Sequence, residues 1–530
     1  MKKTIKSYCN PIAAKFPARS LGLSVAALSL LGSHSAMAVT DTMFAADPGG
    51  TSSFNTAGKW NLAAAPSVGN TYATSFEMRG IAPGTFAGDS LTLNSGGGAL
   101  HGKMGGTLTF NGAGLILNGG LIYQANSFGS GSVFGIAGTI TANASTTSFL
   151  GSTGGGESLA ISGTIGGSGN ITIAGSGNSG NNASYVTFDA ANTLSGTVDV
   201  VTPTNSGGNI SDATKRLLQL NNVNALQNAT LALTGGLGLT NLVSFASASN
   251  TGAYNIGALS GATNQALTDT ASAAVAISVG SKNANTTYSG NLSGAGSLTK
   301  VGTGTLTLSS TNGYTGTTTV SGGKLLVNGS TASGSAVSVS AGTVTGTPVA
   351  TLGGTGTVGG NVSLAAQSSS GFKNGGILAP TASASGTALA VTGTTTFNTG
   401  SIFEFDLNAA TTNTRVGETY GQLAGTGTIS GSGAIFNIVL GTNAFTDVFW
   451  DTTKTWTNVF SGAGATNALT SIFSGGFGGP GVDSAGLVSG QGSFTLSGTN
   501  TLTWTAVPEP TSALAGLLIG AGLLRRRRSA

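Results

Sequence analysis

The chain has 530 residues, of which 89 are glycine, about 17% against roughly 7% in an average protein, while charged residues make up only 7% against about 25%. So little charge excludes the surface of an ordinary soluble enzyme, and 39% hydrophobic residues with only 11 prolines exclude a disordered chain, because enough apolar area is present to offset backbone ordering. The formal charge of +4 sits at the ends: five of the 20 basic residues fall in the first 19 positions and four form the run Arg525 to Arg528, so the body carries 11 − 16 = −5 and no affinity for nucleic acid is expected.

From the N-terminus, Met1 to Arg19 is cationic, Leu21 to Gly32 is apolar, and Ala36-Met37-Ala38 fits the small-x-small rule of a secretory cleavage site. Residues 1–38 are therefore expected to be a signal peptide that engages the general secretion machinery and signal peptidase, with Ala36, Ala38 and Val39 flanking the cut. Twelve apolar residues fall short of the ~20 that span a bilayer. Cys9 is the single cysteine, and beyond residue 38 the single histidine is His101. Disulfides, Cys/His zinc sites, cysteine nucleophiles and multi-histidine metal sites are excluded on that count, and no cofactor or metal is expected.

Residues 39–393 repeat themselves. Ser289-Gly-Asn-Leu-Ser-Gly-Ala-Gly-Ser-Leu-Thr-Lys300 matches Ser162-Gly-Thr-Ile-Gly-Gly-Ser-Gly-Asn-Ile-Thr-Ile173, and further on Asn312, Tyr314, Gly316 and Val320 correspond to Asn192, Leu194, Gly196 and Val200. Each unit alternates β-formers with small polar residues, as in Thr305-Leu-Thr-Leu-Ser309, and breaks at glycine pairs. Period two puts Leu306 and Leu308 on one face and Thr305 and Thr307 on the other. A short strand of this kind cannot bury a face alone, but stacked rungs bury a continuous inner column, with glycine turning the corners. At about 20 to 30 residues per coil, the body is expected to make on the order of 15 to 20 rungs about 4.8 Å apart, a rod of roughly 70 to 100 Å.

Gly290 to Gly329 resembles the autotransporter-associated β-strand repeat, whose core is K-x-G-x-G-T-L-T-L followed by N-x-Y-x-G and G-x-L-x-V. Lys300, Gly302, Gly304, Asn312, Tyr314, Gly316 and Leu325 fall on that pattern, with weaker echoes at Ser162 to Val200, Ile256 to Ala262 and Leu352 to Leu378. The resemblance implies an all-β fold, a right-handed parallel β-helix (β-solenoid) like autotransporter passengers. The chain departs from those proteins in ending on an arginine tail, so the strands of a self-translocating membrane barrel are not expected.

From 394 to 505 the composition shifts: aromatics and carboxylates concentrate in Ile402-Phe-Glu-Phe-Asp-Leu407, Phe445 to Asp451 and Trp456. A rod end exposes strand edges and an apolar column, so this stretch is expected to be a C-terminal β cap. Residues 507–530 then run Val507-Pro508-Glu509-Pro510, an uncharged segment from Thr511 to Leu524, and Arg525, Arg526, Arg527 and Arg528. As a helix 511–524 rises about 21 Å against a ~30 Å hydrocarbon core, and the arginines would stay on the cytoplasmic side. This order resembles the PEP-CTERM sorting signal of exported Gram-negative proteins. The resemblance implies a short C-terminal membrane helix, recognition through Pro508, Glu509 and Pro510, and processing by an exosortase-like membrane protease.

The remaining motifs are weaker. Gly354-Thr-Gly356-Thr-Val-Gly359 matches G-x-G-x-x-G without a βαβ context, and Gly478-Gly-Pro-Gly481-Val-Asp483 is one copy of a calcium nonapeptide that works only in tandem. Glu404 and Asp406 share a strand face at a Cα spacing of about 7 Å, the range of paired carboxylates in glycoside cleavage. His101 has no acid partner nearby in sequence and reads as a surface or turn histidine. The expectation is an exported, non-catalytic, structural or adhesive β-solenoid. It would cross the inner membrane, pass through a transient C-terminal anchor, and reach the cell surface or extracellular matrix, with exopolysaccharide as a partner. The alternative is an extracellular polysaccharide hydrolase or lyase on the same scaffold.

Overall fold

The computed structural model describes residues 40–507 except 45, 47–53, 81, 103–104, 125–130, 153–156, 176–184, 202–216, 236–239, 248–251, 343–348, 369–373, 382–387, 408–420, 441–444, 446–447, 458, 462–468 and 499. The expected cleavage residues Ala36, Ala38 and Val39, the Pro508-Glu509-Pro510 motif, the apolar stretch 511–524 and Arg525 to Arg528 lie outside the described residues. The described residues all belong to Val39–Ala530, one of the chain's two compact units.

Alternation dictates the strands. In Thr305–Leu308, Leu306 and Leu308 are buried and the two threonines face outward, and Lys324–Val327 repeats the pattern one coil later with Leu325 and Val327 inside. The strands stack in parallel. Fifteen successive parallel pairings among the described residues join sixteen strands, from Glu77–Gly80 to Phe477–Gly478, in one ladder. At about 4.8 Å per step that ladder is about 70 Å long.

Further walls complete each coil. Strand Tyr254–Gly261 is where the ladder divides: its first half pairs with Ala276–Val279 and its last residue with Tyr288. From there Leu298 pairs with Thr318, Leu306 with Leu325 and Thr311 with Ser330, one contact on each of three walls. The interior is a set of in-register columns. In one of them Leu306, Leu325, Leu352, Leu378, Phe403 and Phe436 follow one another, all fully buried. Each such side chain contributes about 1.5–3 kcal/mol relative to exposure. The chain is thus all-β with long parallel sheets, consistent with the β-helix that the repeat resemblance implies; the period-two pattern accounts for which residues face inward.

Glycine does two jobs rather than the expected one. At Gly302, φ is +71° and the chain turns a corner that L-residues rarely adopt. At Gly316 the requirement is space: a Cβ there would lie 2.2 Å from the carbonyl oxygen of Gly296 on the rung below.

The composition shift at 394 does not change the architecture. Thr395–Phe397, Ile402–Leu407, Ile429–Gly431 and Ile435–Leu440 continue the parallel ladders. Among the described residues, antiparallel pairing between strands is found in a four-stranded sheet of Lys454–Thr457, Leu487–Val488, Gly492–Ser497 and Thr501–Ala506, shorter than the expected 394–505 cap, and elsewhere only as the isolated bridges Met43–Trp60, Asn94–Gly119 and Thr268–Ala274. The sheet docks through aromatics: Trp456 lies 6.3 Å from Phe405, Phe494 lies 6.5 Å from Phe477, and Trp504 Nε1 donates to the Trp450 carbonyl at 2.8 Å. The shift in composition therefore begins where inner columns change from leucine to phenylalanine, ahead of the cap itself. The other end of the rod is also aromatic, with Trp60 against Tyr72 at 4.9 Å and Tyr72 against Phe86 at 5.6 Å. Among the described residues no helix is long and apolar enough to cross a membrane.

Candidate functional site

The repeat core is built around Lys300. Its strand Ser297–Lys300 turns Leu298 and Lys300 inward, so the lysine is 1% exposed. An ammonium has three donors, and here they reach three carbonyls, those of Val301 at 2.7 Å, Gly302 at 3.3 Å and Gly322 at 3.2 Å. Burial pushes its pKa down to about 8. The K-x-G-x-G spacing thus supplies a buried cation together with the turn whose carbonyls receive it.

Asn312 and Asn192 take the same position in their repeats. Asn312 Oδ1 accepts the Leu292 N–H at 3.0 Å from one rung, and its Nδ2 donates to the Ser330 carbonyl at 3.2 Å on the next. Asn192 Oδ1 accepts from Ile165 at 2.8 Å and its Nδ2 donates to Ala225 at 3.0 Å. Both are buried, as are Tyr314 and Leu194 two positions later. These groups tie rungs together; their roles are architectural.

Glu404 and Asp406 do lie on one outward face of Ile402–Leu407, both half-buried. Burial raises both carboxyls above their ordinary values; Lys324 opposes the rise in each, and Asp406 adds to it in Glu404. Lys324 lies three rungs away along the same ladder, a cationic neighbour that sequence distance concealed.

His101 is not a surface or turn residue. It lies in strand Ala99–Gly102 and is buried, with Nδ1 3.0 Å from Glu77 Oε1 and 3.2 Å from the Tyr123 hydroxyl, and its ring stacks on Tyr123 at 4.4 Å. Arg79, His101 and Tyr123 occupy one register position on successive rungs. Desolvation, followed by the charge of Glu77 and a hydrogen bond to it, pushes the Tyr123 hydroxyl up, and Arg79 opposes. Glu77 and Tyr123 both address the same imidazole nitrogen, so the trio is a clasp between rungs and not a proton relay through the ring.

The glycine motifs have local explanations. Cβ atoms at Gly354, Gly356 and Gly359 would meet the carbonyl oxygens of Val327, Gly329 and Thr331 at 2.2, 2.0 and 2.5 Å, which is rung-to-rung packing. Asp483 Oδ1 accepts the N–H groups of Ala485 and Leu487 at 2.9 and 2.8 Å, closing a turn. Among the described residues no group of three or more His, Cys, Asp or Glu side chains could hold a metal ion.

Buried lysine and asparagine ties, glycine contacts and parallel ladders define a β-solenoid assembled from a diverged repeat. Residues 298–327 match the family model of the passenger-associated-transport-repeat, an autotransporter-associated repeat, and that span runs from the strand of Lys300 to the end of Lys324–Val327. No curated protein matches the chain in sequence.

Proposed function

We propose that the protein is an exported, non-catalytic β-solenoid of the Gram-negative cell surface or extracellular matrix, structural or adhesive in role. The observation that carries this reading is the passenger-associated-transport-repeat seated in a continuous parallel ladder. Outward positions on its strands include the hydroxyl-bearing Thr305, Thr307 and Thr319 beside the single charge of Lys324 on Lys324–Val327. In this reading signal peptidase cuts after Ala38, and the tail with Pro508, Glu509, Pro510 and the arginines from Arg525 to Arg528 hands the protein to an exosortase-like membrane protease. Cell fractionation with intact-mass measurement tests it. Replacing Pro508, Glu509 and Pro510 by alanine should leave a longer, membrane-retained product; unchanged mass and unchanged release would refute the sorting role.

One observation favours a second reading, a polysaccharide hydrolase or lyase: Glu404 and Asp406 are desolvated neighbours with raised carboxyl pKa values. Turnover of an exopolysaccharide that disappears in both Glu404→Gln and Asp406→Asn would establish it in place of the first.

A further inference from the structure

The solenoid wall opens between two rungs near residues 240 and 265. Thr240 is bridged to Asn264 and Phe245 to Asp269, but among the described residues no other backbone bridge joins the segments between these points. Asn241 sits in the left-handed region, at φ +59°, and turns the upper rung away. The buried side chain of Gln265 spans the gap instead: its Oε1 accepts the Val243 N–H at 3.1 Å and its Nε2 donates to the Val243 carbonyl at 2.8 Å. Above this amide floor lies a cleft of about 170 Å³, rimmed by Asn241, Ser244, Thr268 and Asp269.

The rim carries unused hydrogen-bonding capacity. Asn241 Oδ1 accepts the Ala266 N–H at 2.6 Å, and Asp269 Oδ1 accepts those of Ala271 and Ala273 at 2.8 Å each. Among the described residues nothing takes Asn241 Nδ2, Thr268 Oγ1 or Asp269 Oδ2. A polar track runs from the cleft along the rod: Ser244 donates to Gln219 at 3.5 Å, Gln219 to Asn221 at 2.7 Å, and Asn221 to Asp189 at 2.7 Å. Among the described residues the lining holds donors and acceptors of amide, hydroxyl and carboxylate type, with no cationic or aromatic side chain. That set matches neutral hydroxyl groups, which donate and accept at once, and disfavours anions, because Asp269 faces them with no cation to offset it.

We propose that this cleft binds one sugar residue of a neutral polysaccharide, whose chain continues along the Ser244–Gln219–Asn221 track. The proposal rests on the surface reading only in taking polysaccharide as the available ligand. Saturation-transfer NMR on the purified full-length chain with cellohexaose, maltohexaose and a galacturonate hexamer tests it, at ligand concentrations up to about 10 mM, where single contacts of a few kcal/mol are detected. A neutral hexamer should bind. Each of Thr268→Val and Asn241→Gly should weaken it about fivefold and the pair more than tenfold. Thr268→Val should leave the thermal unfolding profile unchanged, whereas Asn241→Gly also removes the acceptor of the Ala266 N–H and should melt lower, so its binding is read below its own transition. Glycine keeps the positive φ at 241, so the second variant does not strain the turn. Absence of binding, preference for the galacturonate, displacement by calcium alone, or binding undiminished in a folded double variant would each overturn the proposal. Export and processing, read by fractionation and mass, are independent of all these outcomes.

Discussion

The ammonium of Lys300 donates to the carbonyl of Gly322, 22 residues further along the chain and one rung away, at 3.2 Å. With Val301 and Gly302 completing the set, one side chain ties a corner to the corner stacked on it. Lys300→Met keeps most of the apolar stem and leaves three buried acceptors without their donor, so it should cost about 2–4 kcal/mol in chemical denaturation. The pH dependence follows from the depressed pKa. Folded Lys300 loses its proton near 8, whereas the unfolded residue holds it to 10.5, so between those values the unfolded state binds more protons and stability rises with pH. Denaturation at pH 7 and pH 10 should show wild type gaining on Lys300→Met by roughly 2–3 kcal/mol; parallel behaviour of the two proteins would rule out the buried ammonium.

Gly316 and Gly313, three residues apart, differ in whether the fold requires glycine. A Cβ at 316 would meet the Gly296 carbonyl oxygen at 2.2 Å, while at 313 the nearest atom is Asn291 Oδ1 at 3.9 Å. Gly316→Ala should force the rungs apart and destabilise the protein by more than about 2 kcal/mol, whereas Gly313→Ala should stay within about 0.5 kcal/mol. Thermal melting by circular dichroism compares them directly, and equal effects would refute close packing as the reason for Gly316.

Asn312 spans two inter-rung links with one amide. Asn312→Leu preserves volume but deprives the buried Leu292 N–H of its acceptor and the Ser330 carbonyl of a donor. The expected loss is about 2–3 kcal/mol. Hydrogen exchange provides a local readout: the Leu292 amide should lose protection while strand Thr305–Leu308 keeps its own. Asn192→Leu should act on Ile165 in the same way, because the two repeats share the geometry.

The candidate sites were legible to different degrees. The equivalence of Asn192 with Asn312 and of Gly196 with Gly316 could be read from the repeat, since each occupies a fixed place inside its own coil. Glu404 and Asp406 could be set on one face by period two alone. Their neighbour Lys324, the Glu77 partner of His101 and the Gln265 floor of the cleft could not, because each is a contact between coils. Coil length is irregular: the Ser335 to Gly316 contact spans 19 residues and the Thr426 to Thr392 contact spans 34. No constant offset therefore tells which residue will lie above another.

The sequence by itself determined the strand, its inner and outer faces, the glycine breaks and the low-charge outer surface, because these depend on periodicity and residue chemistry within a few positions. Only the tertiary structure decided which rung carries which neighbour. That register brings the His101 ring within reach of Glu77, gives the Lys300 ammonium its inter-rung acceptor at Gly322, carries the parallel ladder past 394 to Phe477–Gly478, and opens the wall at Asn241. The physical reason is that stacking selects the register that fills the inner columns, and the lengths of the intervening turns are free to vary as long as it does.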